Sequence, residues 1–380
     1  MDAYLDNAAT TPLAPEVTEA MSDFMGSFYG NPSSTHAKGR EARVEIEKAR
    51  KTIAKIIGAQ EREIIFTSGG TEANNTILKS LALSGSIEYI ISSPIEHHSV
   101  LDALEWIKNN TNSKVVYLNV NHKGHIDNKQ LEDLLSANNK ALVSLMHANN
   151  EIGNILDLEK IGELCNANNA LFHTDMVQTL GHYPLRLNEL PIDYATGSAH
   201  KIHGPKGVGF MYTKSKSEKP EPLFHGGAQE RGLRGGTENG IGIIGMAKAF
   251  NIASTSMGQD KEFILSLKKR MIDGLKANIP NTKFNGDSEL SADSLYTLLN
   301  VQLPGKKEDT FLFNLDLKGV AVSEGSACSS GAPEGSHVLR AMGQPDNDFN
   351  NIRISFSRFN TFEEVDYAIH TIAEVHGMLQ

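Results

Sequence analysis

At 380 residues, with 39% hydrophobic and 22% charged residues, the chain has the composition of a folded protein long enough for two hydrophobic cores. Its formal charge of -10 argues against general nucleic-acid binding, which needs Lys and Arg to neutralise phosphates. No stretch approaches the roughly 18 apolar residues that a membrane span needs. Its two cysteines, Cys165 and Cys328, lie far apart and in no metal-ligand spacing, which excludes a disulfide framework. Residues 1–15 show no basic cluster or apolar run, so the expected location is cytoplasmic.

In chain order, residues 64–66 form a short apolar run that leads into a Gly-rich turn and a helix starting near Thr71. Further strand candidates follow at 89–91, 115–118, 141–145, 171–174, 194–196 and 208–211, with helical patterns between most of them. Cys165 belongs to one of those helical patterns, with Ile161 and Leu164, and reads as core packing. Alternation of strand and helix predicts an α/β fold: a mainly parallel sheet flanked by helices, with ligands held beyond the strands' carboxyl ends. A long helical region spans about 240–278. Strands near 294–303 and 351–357 then surround a short helix near 309–317, and a last helix opens at Thr361 with Glu364 in capping-box position. The expected division is a large domain over 13–257 and a smaller α+β domain made of 1–12 and 258–380.

The unusual residues fall at the predicted strand ends. In Ser198-Ala199-His200-Lys201-Ile202-His203-Gly204-Pro205, a lysine follows a strand and precedes a Gly/Pro turn. An amine in a dry pocket loses its proton readily and condenses with an aldehyde cofactor. In Phe66-Thr67-Ser68-Gly69-Gly70-Thr71-Glu72, a strand ends in small residues and a helix opens, a pattern that suits a phosphate, though a plain capped turn reads the same way. Asp175, closing Phe172-His173-Thr174-Asp175, could pair with a protonated pyridine nitrogen or cap a helix. Gln178 lies three residues on. Glu96-His97-His98-Ser99 offers an aromatic face for a cofactor ring; one His pair is a weak metal signal.

Taken together, these segments resemble the fold-type I pyridoxal-phosphate enzymes, and among them the NifS/IscS-type cysteine desulfurases of the class V aminotransferase family. The resemblance runs nearly end to end. It includes Tyr4-Leu5-Asp6-Asn7-Ala8-Ala9-Thr10-Thr11-Pro12, Ser68-Gly69-Gly70-Thr71-Glu72, Met146-His147-Ala148-Asn149-Asn150-Glu151-Ile152-Gly153, His200-Lys201, Gly226-Gly227-Ala228-Gln229-Glu230-Arg231 and Gly325-Ser326-Ala327-Cys328. It implies a pyridoxal 5'-phosphate cofactor carried by Lys201, with Asp175 on the pyridine nitrogen and His97 stacked on the ring and serving as an acid/base. Asn150 and Gln178 would contact ring substituents. Gly70, Thr71, Ser198 and His200 would hold the phosphate, together with Thr237 from a neighbouring subunit of a homodimer.

The segment around Cys328 is rich in small residues and reads as an exposed loop, which suits a reactive thiol. The resemblance makes Cys328 the acceptor of sulfur from L-cysteine as a persulfide, with L-alanine as the other product. The sulfur would then pass to an acceptor protein, such as an iron–sulfur scaffold or a sulfur relay serving cofactors or tRNA. No direct nucleic-acid or membrane binding is expected. Arg353, alternating in a strand with Ile352 and Ile354, is the expected anchor for the substrate carboxylate. Arg358 is a weaker candidate. The chain stops soon after its last helix, which puts scaffold docking through a longer tail in doubt. An ordinary aminotransferase of this fold would not need Cys328, and a selenocysteine lyase would need it less.

Overall fold

The computed structural model describes residues 1–325, 335–344 and 349–379. The chain opens with β1 (Ala3–Tyr4), α1 (Pro15–Ser27) and α2 (Ala37–Ile57), and then alternates. The series is β2 (Ile64–Thr67), α3 (Gly70–Leu83), β3 (Tyr89–Ser92), α4 (His98–Asn110), β4 (Lys114–Tyr117), α5 (Asn128–Ala137) and β5 (Ala141–Ser144). It continues through α6 (Leu158–Ala167), β6 (Leu171–Asp175), β7 (Tyr194–Ser198) and β8 (Gly209–Thr213). Among the described residues these strands form a seven-stranded sheet in the order β2-β8-β7-β6-β5-β3-β4. All neighbours pair in parallel except at β8, which runs antiparallel to both β2 and β7.

Adjacent apolar residues on the strands divide between two cores, as the twofold alternation of a strand requires. Ile65, Ile90, Leu142 and Met211 pack with Ile77 and Leu81 of α3 and Leu104 of α4. Ile64, Ile91, Val143 and Phe210 pack on the other side with residues of α2, α5 and α6. Both faces are covered, as a mainly parallel sheet demands. Cys165 sits in the core on this α2/α5/α6 face of the large sheet, 1% exposed.

α7 (Gly240–Asn278) is one continuous helix, capped by the Asn239 side chain on the amide of Gly242. Its first half adds Ile243, Met246 and Phe250 to the core of the large sheet. Its second half adds Ile264, Leu267, Met271 and Leu275 to a separate core. A division at 257/258 therefore falls inside this helix. Beyond it come β9 (Lys283–Phe284), β10 (Leu298–Gln302), α8 (Phe311–Leu317), β11 (Val320–Ala321), α9 (His337–Ala341), β12 (Asn351–Ser355) and α10 (Phe362–Leu379). β12, β10 and β9 make an antiparallel sheet, and β1 pairs in parallel with β11, so the first residues of the chain join this second core. The expected capping box is present: Thr361 Oγ1 accepts from the Glu364 amide at 3.2 Å, and the Thr361 amide donates to Glu364 at 2.9 Å. Among the described residues no helix is long and apolar enough to cross a membrane.

A buried ion pair ties the 229–232 turn to the sheet. Both Nη atoms of Arg50 donate to the Glu230 carboxylate, at 2.7 and 2.8 Å, and the Phe66 amide donates to the same carboxylate at 2.8 Å. Arg50→Ala would leave that carboxylate buried without its cation, at a cost of about 3–5 kcal/mol. Urea unfolding of the variant against wild type measures this, and a loss under about 1 kcal/mol, as for an exposed pair, would show that the pair is not desolvated.

Candidate active site

β2, β3, β5, β6 and β7 all point the same way, and their carboxyl ends meet at one cavity of about 290 Å3. Its lining includes Gly70 and Thr71 after β2, His97 after β3, Asn150 after β5, Asp175 at the end of β6, and Ser198, His200 and Lys201 after β7. Gln178 completes the wall beside Asp175, and Arg353 enters from β12 of the second core. Ten residues named from the sequence thus line one space. Thr237 does not line it and is exposed on the surface. Cys328 lies outside the described residues.

Each wall has a local cause. Gly69 has φ +155°, and a Cβ built on it would meet nothing within 4 Å, so open space lies beside the start of α3. No side chain caps that helix end, so its first amides are left to an anion. Asp175 accepts from Asn74 Nδ2 at 2.7 Å and from the amide of Val177 at 2.9 Å. Asn74 also donates to Ser99 Oγ at 2.9 Å, and that hydroxyl lies 2.8 Å from His97 Nδ1. A relay therefore links the carboxylate to the imidazole. The Ser99 amide donates to His97 Nδ1 at 3.1 Å, which assigns the proton of the neutral ring to Nε2. Sequence reading missed Asn74 and Ser99, although both fall in or beside segments it singled out.

Lys201 Nζ donates to the carbonyls of Ala8 and Ala9, the latter at 2.7 Å. Gln178 Nε2 donates to the Ala8 carbonyl at 3.1 Å. The Asn7-Ala8-Ala9 segment, given no role from sequence, is thus the floor under the lysine. Arg353 is 1% exposed, with Nη1 donating to the Asn150 carbonyl at 3.1 Å and Nη2 to Asp6 Oδ1 at 2.8 Å. Its Nε has no hydrogen-bond partner among the described residues. The arginine is already held by Asp6, a partner that strand alternation alone could not reveal. It still carries unspent donors at the cavity wall. Arg358 instead lies 3.9 Å from Asp260.

Burial governs the electrostatics. It pushes the Glu96 carboxyl up to about 8, so this group beside the relay is largely neutral at pH 7. Burial also holds His97 below its usual value, against the opposing pull of Asp175. It takes His200 down to about 4, with the Lys201 charge adding to the effect. His173, buried in the central strand β6, and His147, buried just after β5, fall to about 3 and about 4. A lowered histidine pKa means that the unfolded chain binds more protons, so stability is full above about 6.5 and is lost as pH falls from there. Each of these two histidines removes about 1.4 kcal/mol per pH unit between about 6.5 and its folded value. Unfolding midpoints taken from pH 7.5 to 4.5 are expected to drop, and a flat profile would contradict the burial.

The arrangement fits a flat, anionic aldehyde cofactor. A lysine amine, a buried carboxylate, an imidazole and an uncapped helix end face one space of suitable size, and an underused arginine stands beside them. The aminotransferase class-V family model matches residues 3–368. The chain belongs to this family. It is 42% identical over 377 residues to cysteine desulfurase IscS of Dictyoglomus turgidum, covering 98% of this chain and 94% of that protein. A solved NifS-like protein superposes with a TM-score of 0.91 at 38% identity, covering 100% of both chains. A structure described as SspA in complex with cysteine superposes with a TM-score of 0.79 at 30% identity, covering 94% of this chain and 100% of that one. Within the class-V family the chain thus belongs with the IscS/NifS-type cysteine desulfurases.

Proposed function

We propose that this protein is a pyridoxal-phosphate-dependent cysteine desulfurase that takes sulfur from L-cysteine onto Cys328 and leaves L-alanine. The observation that carries the reading is the convergence of Lys201, Asp175, His97 and Arg353 on one cavity in a chain 42% identical to such an enzyme. Residues 13–257 form the cofactor-binding domain in this reading, and 1–12 with 258–380 form the small domain.

Lys201 is the residue that would carry the cofactor, with Asp175 against its ring nitrogen and His97 against its face. Gly70, Thr71, Ser198 and His200 would hold its phosphate, and Asn150 and Gln178 would contact the ring's substituents. When bound, pyridoxal phosphate supplies an electron sink conjugated to the amino carbon of the substrate. Arg353 grips the cysteine carboxylate with its unspent donors, fixing which bond at the α-carbon faces Lys201. Lys201 Nζ moves the α-proton. His97, neutral at pH 7, takes the substrate's thiol proton at an imidazole nitrogen. The Cys328 thiolate attacks the substrate sulfur, so an S–S bond forms while the C–S bond breaks. That bond's electron pair stays with carbon, which gains a proton to give alanine. Cysteine and one thiol thus become alanine and one persulfide.

Thr237 would complete the phosphate site of a second copy. Its exposed position, away from its own chain's cavity, supports a homodimer with shared sites. The persulfide would then serve an acceptor protein in iron–sulfur or other sulfur-cofactor synthesis, in the cytoplasm. The test is product analysis with L-cysteine and a reducing thiol. Sulfide and alanine in equal amounts are expected. Amino transfer that needs a keto acid and releases no sulfide would overturn the reading.

A further inference from the structure

Lys201 stands in the partition between two cavities. Besides the larger one it lines a smaller one of about 40 Å3 with Ile202, His182 and Tyr296, and Ala8 and Gln178 line both. A residue with open space on two sides is held less by packing than by its hydrogen bonds. The turn that follows it is also strained, since His203 has φ +64°, a left-handed conformation that a residue with a side chain rarely adopts. Such a turn must be fastened from outside. On one side the start of the chain does this: the His203 amide donates to Thr11 Oγ1 at 2.8 Å, and its carbonyl accepts from the Ala14 amide at 3.1 Å.

On the other side stands His182. Gly181 before it has φ +80°, and a Cβ built there would lie 2.8 Å from Ile202 Cγ2, so glycine brings this chain directly onto the residue after Lys201. His182 Nε2 lies 3.3 Å from the Lys201 carbonyl, and Nδ1 lies 3.1 Å from the Tyr296 hydroxyl. A carbonyl only accepts, so Nε2 donates to it. Burial holds His182 below its usual value, against the pull of the Lys201 carbonyl and Asp260, so at neutral pH the ring is neutral and Nδ1 accepts from Tyr296. The same hydroxyl lies 3.2 Å from the His182 carbonyl, and the two rings meet edge-on at 5.8 Å.

Tyr296 is fixed in its turn. It is 3% exposed and belongs to the second core. Leu295 beside it donates its amide to the Gly153 carbonyl at 2.8 Å, and its own carbonyl accepts from the buried Lys268 Nζ at 2.8 Å. A line of contacts thus runs from the second core through one imidazole to the backbone of Lys201.

We propose that His182 is a positioning residue for Lys201, holding the lysine's backbone against Tyr296 and so fixing where Nζ stands in the larger cavity. This rests on the reading of Lys201 as the residue that carries the cofactor and moves the α-proton. His182 stands behind the lysine, on the smaller cavity, so its loss slows proton movement and leaves cofactor and cysteine binding in place.

The test uses the cofactor-loaded enzyme in wild type, His182→Ala, His182→Gln and Tyr296→Phe. Single-turnover alanine formation from cysteine and from α-deuterated cysteine is followed beside the cofactor's visible absorption, the cysteine KM and the unfolding midpoint. His182→Ala is expected to keep the absorption and KM while slowing the single turnover by about tenfold to a hundredfold, the cost of misplaced reacting groups. That slowed turnover should be slower still with the deuterated substrate. His182→Gln, whose amide nitrogen can reach the same carbonyl, should restore most of the rate. Tyr296→Phe should slow the turnover by less, because the imidazole keeps its bond to the lysine. Wild-type rates in His182→Ala overturn the proposal, as does a loss without a deuterium effect, a loss matched by loss of cofactor or a raised KM, or a glutamine variant as slow as alanine. Should His182→Ala not fold, Tyr296→Phe decides, and a wild-type rate there overturns the proposal. A wild type that makes no alanine overturns the desulfurase reading, and this role with it.

Discussion

Lys201→Ala is expected to lose the visible absorption of the lysine-bound cofactor and to lower turnover of cysteine by about a thousandfold or more. The lysine has two tasks, carrying the cofactor and moving the α-proton, and among the described residues no other amine lines the cavity. Its contacts explain why it is poised there: a primary amine on the carbonyls of Ala8 and Ala9 is held at the wall rather than in solvent. Lys201→Arg tests the same point. A guanidinium keeps the charge but cannot condense with an aldehyde, so it should be as inactive as alanine. Substantial activity in either variant would require a different residue to carry the cofactor.

Cys328→Ala is expected to separate the two halves of the reaction. The cofactor absorption should remain, because the residues that would hold the cofactor are unchanged, while sulfide release falls on the order of a thousandfold or more. Cys165 cannot substitute for it. That thiol is 1% exposed, and burial pushes its pKa up to about 12, so almost none of it is thiolate at pH 7. Cys165→Ala should therefore keep full activity and lose only packing. If Cys328→Ala released sulfide at the wild-type rate, elimination at the cofactor alone would be the better account.

Much of this site was legible from sequence because its residues sit at strand ends, where short apolar runs stop and Gly, Ser or Asp begin. Asp175 after Phe172-His173-Thr174 and Lys201 after the 194–198 strand are such cases. The helix over 240–278 and the capping box at Thr361 were equally local signals. What was not legible depends on distant partners. The reversal of β8 within an otherwise parallel sheet is set by pairing with β2 and β7, which lies outside any local window. Arg353 reads in sequence as an outward residue waiting for a carboxylate. In the fold it is fully buried and already shares itself between Asp6 and the Asn150 carbonyl. The Asn74–Ser99 relay is likewise a contact between separate segments of the chain, invisible to periodicity.

The central claim is that sulfur leaves cysteine by bonding to Cys328. Mass spectrometry of peptides from cofactor-loaded enzyme, treated with L-cysteine and no other thiol, tests it most directly. The account predicts one added sulfur on the peptide holding Cys328, none on the peptide holding Cys165, and one alanine per sulfur bound. Alanine formed with no sulfur on Cys328 would contradict it.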